Sequence, residues 1–178
     1  MRPAQDVDVL NPVRAGGSGS SGRVRGLTIA VALGTIVLDR LTKLWAERAL
    51  DAGPCRPGAC IELIGSLRLR LLYNYGAAFS TGTSLGPLFG VVAVIMAVVL
   101  LRLAFASQDR LRAALLALIA GGAVGNLIDR VIQGYVVDFI FVHWGDSYFP
   151  AFNVADSAIT VGAIMMMVDV LFLDREDR

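Results

Sequence analysis

The stretch Leu111–Arg130, LRAALLALIAGGAVGNLIDR, decides the fold. From about Leu111 to Asp129 it is near the ~20 residues a helix needs to cross ~30 Å of hydrocarbon. The apolar run ends in Asn126, Asp129 and Arg130, which share one helical face at i, i+3 and i+4. Gly121 and Gly125, with Ala117 before them, make a small-xxx-small step, which we read as close helix packing rather than chemistry. Ionisable groups beside hydrocarbon are expensive, so a polar helix end marks a candidate site.

Three more runs have the same character: about 25–44, 85–106 and 152–173. The chain has 178 residues, 56% of them hydrophobic, and a mean hydropathy of +0.65, well above a soluble globular mix. Residues 61–73 alternate, notably Leu67-Arg68-Leu69-Arg70-Leu71, which is a strand signal. Residues 131–151 mix aromatic and polar side chains, as an interfacial segment does. The predicted fold class is therefore an all-α membrane protein. It has four transmembrane helices, a small extracytoplasmic β-sheet and an interfacial helical segment.

The organisation follows. Residues 1–24, rich in Gly and Ser, read as a disordered cytoplasmic tail. Residues 25–173 form one membrane domain, with a β-rich loop at 45–84, the interfacial segment at 131–151 and a cytoplasmic C-terminus at 174–178. Arg102, Arg110 and Arg112 crowd the loop between helices 2 and 3, which favours both termini inside. A net charge of +1 suggests no nucleic acid. No His/Cys/carboxylate cluster has metal-ligand spacing, so we expect neither metal nor cofactor.

In a four-span bundle the polar islands fall on one outward side. Asp39 and Lys43 stand at i and i+4 and read as a helix-stabilising ion pair or as support for a site. Asn74 and Gly76 read as a turn, or as a place for close backbone approach. Asn126 suits a hydrogen bond to substrate and Arg130 a neutralising charge; the plainer alternative is an internal Asp129–Arg130 pair. Asn153 stands three before Asp156, as an N-cap or as a contact to it. Asp138 and Asp156 are 18 residues apart and can meet as helix 3 leaves and helix 4 enters. Two carboxylates at low dielectric share a proton, so one can take a proton from water while the other gives one. Separate helix-anchoring roles are the alternative. Cys55 and Cys60 flank an outward loop, either disulfide-bonded or unpaired.

Gly125-Asn126-x-x-Asp129-Arg130, then Val137-Asp138-Phe139, then Phe152-Asn153-x-Ala155-Asp156 closely resembles the lipoprotein signal peptidase (signal peptidase II) family. All its motif regions occur in order from Asp39 to Ala158. The resemblance implies an aspartic endopeptidase of the bacterial inner membrane that cuts a prolipoprotein before its diacylglyceryl-modified cysteine. It carries the catalytic pair onto Asp138 and Asp156, and sets Asp39, Lys43, Asn74, Gly76, Asn126, Arg130 and Asn153 around them. Diacylated prolipoprotein and membrane lipid are the expected partners, and the chain is expected to be a monomer. Three features depart from the family pattern: Arg40 where glutamine is common, the long Gly/Ser tail, and the Cys55–Cys60 insert. Two other mechanisms compete on residues alone. A proton-coupled transporter would place its carboxylates near the midplane with an internal repeat, and neither is present. A Ser/Lys peptidase would use Lys43 with Ser80 or Ser157.

Overall fold

Small side chains along one helix let the rest of the molecule gather round it. In the computed structural model, which describes residues 18–52, 60–75, 86–145 and 147–173, that helix is α3 (Arg110–Gln133). Helices α1 (Ser18–Ala49), α2 (Gly86–Ala106) and α4 (Val154–Val168) all pack against it. Ala113, Ala117, Ala120, Gly121, Gly122 and Gly125 of α3 are buried. A Cβ on Gly122 would stand 2.5 Å from the Ala155 carbonyl oxygen on α4. One on Gly125 would stand 2.6 Å from Asp39 Oδ2 on α1. These glycines permit the close approach that the small-xxx-small step predicts.

Helix α3 starts at an N-cap, Asp109, whose carboxylate accepts from the Arg112 N–H at 2.8 Å. It stops at Gly134, whose φ of 79° is the left-handed region that ends helices. Helix α4 opens with a capping box between Asn153 and Asp156 and continues as a π-helical turn, Asp169–Leu173. Arg112 holds Asp169 at 2.7 Å, which ties the far ends of α3 and α4 together.

The strands form one antiparallel sheet in the order β1 (Ile61–Ile64), β2 (Leu67–Asn74), β3 (Val136–Trp144), β4 (Ser147–Tyr148). Leu72 faces Asp138 across the β2–β3 pair, and the register shifts between Leu69 and Leu72. Beneath the sheet, Ala46 of α1 and Leu50 just past its end meet Leu71, Val137 and Phe139 in a buried apolar cluster. The sheet thus sits on the end of the bundle that carries the polar islands.

Two boundaries correct the sequence reading. Helix α1 begins at Ser18 rather than near 25. Val24 and Thr28 are buried there, and packing overrides the low helix propensity of the Gly/Ser stretch. The expected interfacial helical segment at 131–151 is instead largely strand, because Val136, Val137 and the aromatics after them pair with β2. Cys60 is disulfide-bonded, and Cys55 lies outside the described residues, as does Gly76.

The burial pattern is inverted relative to a soluble protein. Ile29, Leu33, Val37, Val91, Ile95, Ile164 and Met167 are exposed on the helices, while Asp39, Lys43, Asp129 and Asp138 are buried. Contiguous exposed apolar surface of this kind marks contact with something other than water. Among the described residues, two helical runs, Arg110–Gln133 and Val154–Phe172, are long and apolar enough to cross a membrane, and Gly90–Ala106 is a shorter apolar one.

Candidate active site

Asp138 lies on β3 and Asp156 in the first turn of α4. One asparagine ties them together. Asn153 Nδ2 donates to Asp138 Oδ1 at 2.8 Å, while its Oδ1 accepts from the Asp156 N–H at 2.9 Å. The Asn153 backbone N–H donates to Asp156 Oδ2 at 3.3 Å, so the N-cap that starts α4 also holds both carboxylates. A second asparagine completes the frame: Asn126 Nδ2 donates to Asp156 Oδ1 at 2.7 Å. Asn74, at the end of β2, donates to Asp138 Oδ2 at 3.0 Å.

Behind the asparagines lies a charge cluster. Lys43 Nζ is 2.8 Å from Asp39 Oδ2 and 2.8 Å from Asp129 Oδ2, and donates to Asn126 Oδ1 at 2.9 Å. Arg40 also pairs with Asp129. Two cations thus match two carboxylates, which offsets the cost of burying them. Asp39 Oδ1 accepts the Ala155 N–H at 3.0 Å, one of the donors a helix start leaves unpaired. Asp129 Oδ2 accepts the Val137 N–H at 3.2 Å. So α1 and α3 fix the backbone on either side of the aspartate pair.

Burial raises the Asp138 carboxyl to about 6, above its ordinary value of 3.8. The hydrogen bonds from Asn74 and Asn153 and the charge of Lys43 pull it down; the nearby charge of Asp156 pushes it up. Both aspartates line a cleft of about 1330 Å³ that runs out over the sheet. A carboxyl titrating near neutrality, coupled to a second one in a cleft, is what acid–base work requires.

The predicted residues divide. Asp39, Lys43, Asn74, Asn126, Asp129, Asp138, Asn153 and Asp156 converge in one network. Among the described residues Arg130 joins no carboxylate; it donates to the Asn126 carbonyl one turn back, at 3.2 Å. The alternative Asp129–Arg130 pair is replaced by Asp129 with Arg40 and Lys43. Arg40 was legible only as a departure from a pattern, since its partner is 89 residues away. Ser157 donates to the Asn153 carbonyl and Lys43 is enclosed by its acceptors, which disfavours a Ser/Lys pairing between them. Ser80 lies outside the described residues.

A helical scaffold with an apolar exterior, a surface sheet and a buried acid network matches the class of bacterial membrane enzymes. Two solved structures of such enzymes align with it. One has a TM-score of 0.71 at 29% identity, covering 86% of this chain and 92% of its own. The other has a TM-score of 0.72 at 30% identity, covering 83% and 94%. The chain belongs to the signal peptidase (SPase) II family, whose pattern matches residues 31–172. Its relatives include the lipoprotein signal peptidase of Acinetobacter baylyi, 41% identical over 150 residues, or 79% of each chain. That of Pseudomonas syringae pv. tomato is 43% identical, over 85% of this chain and 88% of its own. The protein is therefore an enzyme, a signal peptidase of lipoprotein processing.

Proposed function

We propose that Asp138 and Asp156 are the catalytic pair of an aspartic endopeptidase, which cuts prolipoproteins just before the diacylglyceryl-modified cysteine. The observation that carries this reading is Asn153, whose side chain donates to the Asp138 carboxylate and whose backbone N–H donates to that of Asp156, at the wall of one cleft. Catalysis requires one proton on the pair, and Asp138, the more buried member, whose carboxyl burial raises to about 6, is the one favoured to carry it.

In the first step a water oxygen bonds to the scissile carbonyl carbon. One water proton passes to the ionised carboxylate, and the protonated one gives its proton to the carbonyl oxygen. In the second step a carboxyl protonates the amide nitrogen, the C–N bond breaks, and the other carboxylate takes a hydroxyl proton. The pair ends as it began, with one proton, and no further reactant is needed. Lys43, Asp39 and Asp129 act as positioning residues, because they touch the asparagines and backbone around the pair rather than the cleft.

The same reading assigns four spans to α1, α2, α3 and α4 in the inner membrane, with termini inside and the sheet outside. The apolar helix flanks support it, since a signal peptide and acyl chains lie against such surface without exposing apolar area to water. The protein acts as a monomer on a lipid-bound substrate. The test is incubation of the purified protein with a diacylated prolipoprotein. Asp138→Asn and Asp156→Asn should each lower the rate by ~10³-fold or more while leaving the protein folded, with the double variant no worse. Near-normal turnover by either variant removes that residue from the pair.

A further inference from the structure

The cleft continues past the aspartates over the sheet, where its floor changes from acidic to cationic and aromatic. Arg68, Arg70, Phe141, His143 and Tyr148 line that end. Phe141 is its centre: the Arg70 guanidinium lies 5.9 Å from the ring centroid, and His143 and Tyr148 stack at 6.3 and 5.7 Å. Arg68 is already partnered, 3.1 Å from Glu62 on β1. Arg70 has no ion-pair partner among the described residues, and its Nε is buried without a hydrogen bond. Nε2 of His143 is buried and equally unpaired. A buried donor such as the Arg70 Nε–H costs free energy without an acceptor, so this end is built to receive one.

We propose that Arg70, backed by His143 and Phe141, binds an acidic side chain of the mature polypeptide a few residues beyond the cleavage point. The proposal rests on the peptidase reading given above. The direction follows from the surfaces: a signal peptide's apolar core lies along the apolar helix flanks, so the mature chain leaves over the sheet. The distance follows from strand geometry. Arg70 is two residues from Leu72, the partner of Asp138, and β2 bulges between Leu69 and Leu72, so the separation is at most roughly 7 Å along the strand. An extended substrate advances at the same ~3.3 Å per residue, so the carboxylate belongs about two to four residues after the modified cysteine. A cation held on an aromatic face, with part of its hydration removed, attracts an anion more strongly than an exposed one.

The test uses three diacylated precursors that differ at the positions two to four residues after the cysteine: aspartate, asparagine or lysine. Each is offered to the full-length protein in phosphatidylcholine vesicles and, separately, in phosphatidylglycerol vesicles. Wild type should cut the aspartate precursor ~10-fold faster than the lysine one in phosphatidylcholine, and added salt should narrow the ratio. Arg70→Glu should invert the preference. Because the readout is a ratio within one protein, a variant with less folded material still reports. Should Arg70→Glu yield no folded protein, the salt dependence of the wild-type ratio decides. Equal rates for the three precursors overturn the inference while leaving the peptidase reading intact. So does a rate that follows vesicle charge and ignores the precursor, since the anion recognised is then a lipid headgroup. Failure to cut even the asparagine precursor overturns the peptidase reading itself.

Discussion

Asn74 shows how one amide tunes the chemistry. It donates to Asp138 Oδ2, and a donor favours the ionised form of a carboxylate. Burial acts oppositely and more strongly, and leaves the group at about 6. Since this folded value lies above the ordinary 3.8, the stability Asp138 contributes is complete below about 3.8 and is lost as pH rises through about 6. Replacing Asn74 by leucine removes a downward influence, so the midpoint should move to higher pH. In the kcat/KM profile, which reports the free enzyme, the high-pH limb should shift the same way. An unmoved limb would separate Asn74 from the titration of Asp138. At this scale the sequence was informative about pairs on one element. Asp39 and Lys43 at i and i+4, and Asn153 before Asp156, both meet as their spacing predicts. It was silent about Arg40 with Asp129, because nothing local joins two residues on different helices.

Helix α3 carries the heaviest packing constraint, and Gly125 is where it touches the site. A methyl group there would stand 2.6 Å from Asp39 Oδ2. The Asp39 carboxylate cannot easily retreat, since Lys43 holds one oxygen and the Ala155 N–H holds the other. Gly125→Ala should therefore push α1 from α3, cost about 1–3 kcal/mol of stability, and loosen the α4 start that carries Asp156. Thermal unfolding in detergent with a matched activity assay checks both. Full stability and full activity would mean that the helices adjust freely. The glycine step was legible as a packing motif, but a run of small residues does not name its partner helix. Strand β3 shows the opposite limit. Its aromatic and polar mixture fits a surface helix as well as a strand, and pairing with β2 decided between them.

For the whole molecule, the proposed four-span topology makes a direct claim about the short turn between α2 and α3, which Arg102 in α2 and Arg110 and Arg112 in α3 flank. A cysteine introduced at Gln108, in a chain lacking Cys55 and Cys60, should stay unlabelled by an impermeant thiol reagent applied to intact cells. It should label after the membrane is opened. Labelling from outside would invert the topology and put the aspartates on the inner side.

Composition and periodicity determined the apolar helices, because a ~20-residue apolar run has few other ways to satisfy its backbone. They also determined which residues were candidates, since a charge in a greasy chain needs a reason to be there. The tertiary structure alone decided who meets whom. Lys43 reaches Asp129 and Asn126, Asn126 reaches Asp156, and Asn74 reaches Asp138 only because α1, α3, α4 and the sheet close on one another. It also brought Arg70 onto the ring of Phe141, beyond what the alternation of β2 alone could specify. The reason is range: periodicity acts over a few residues, whereas these contacts join positions 30 to 86 apart, set by how closely glycine lets helices approach.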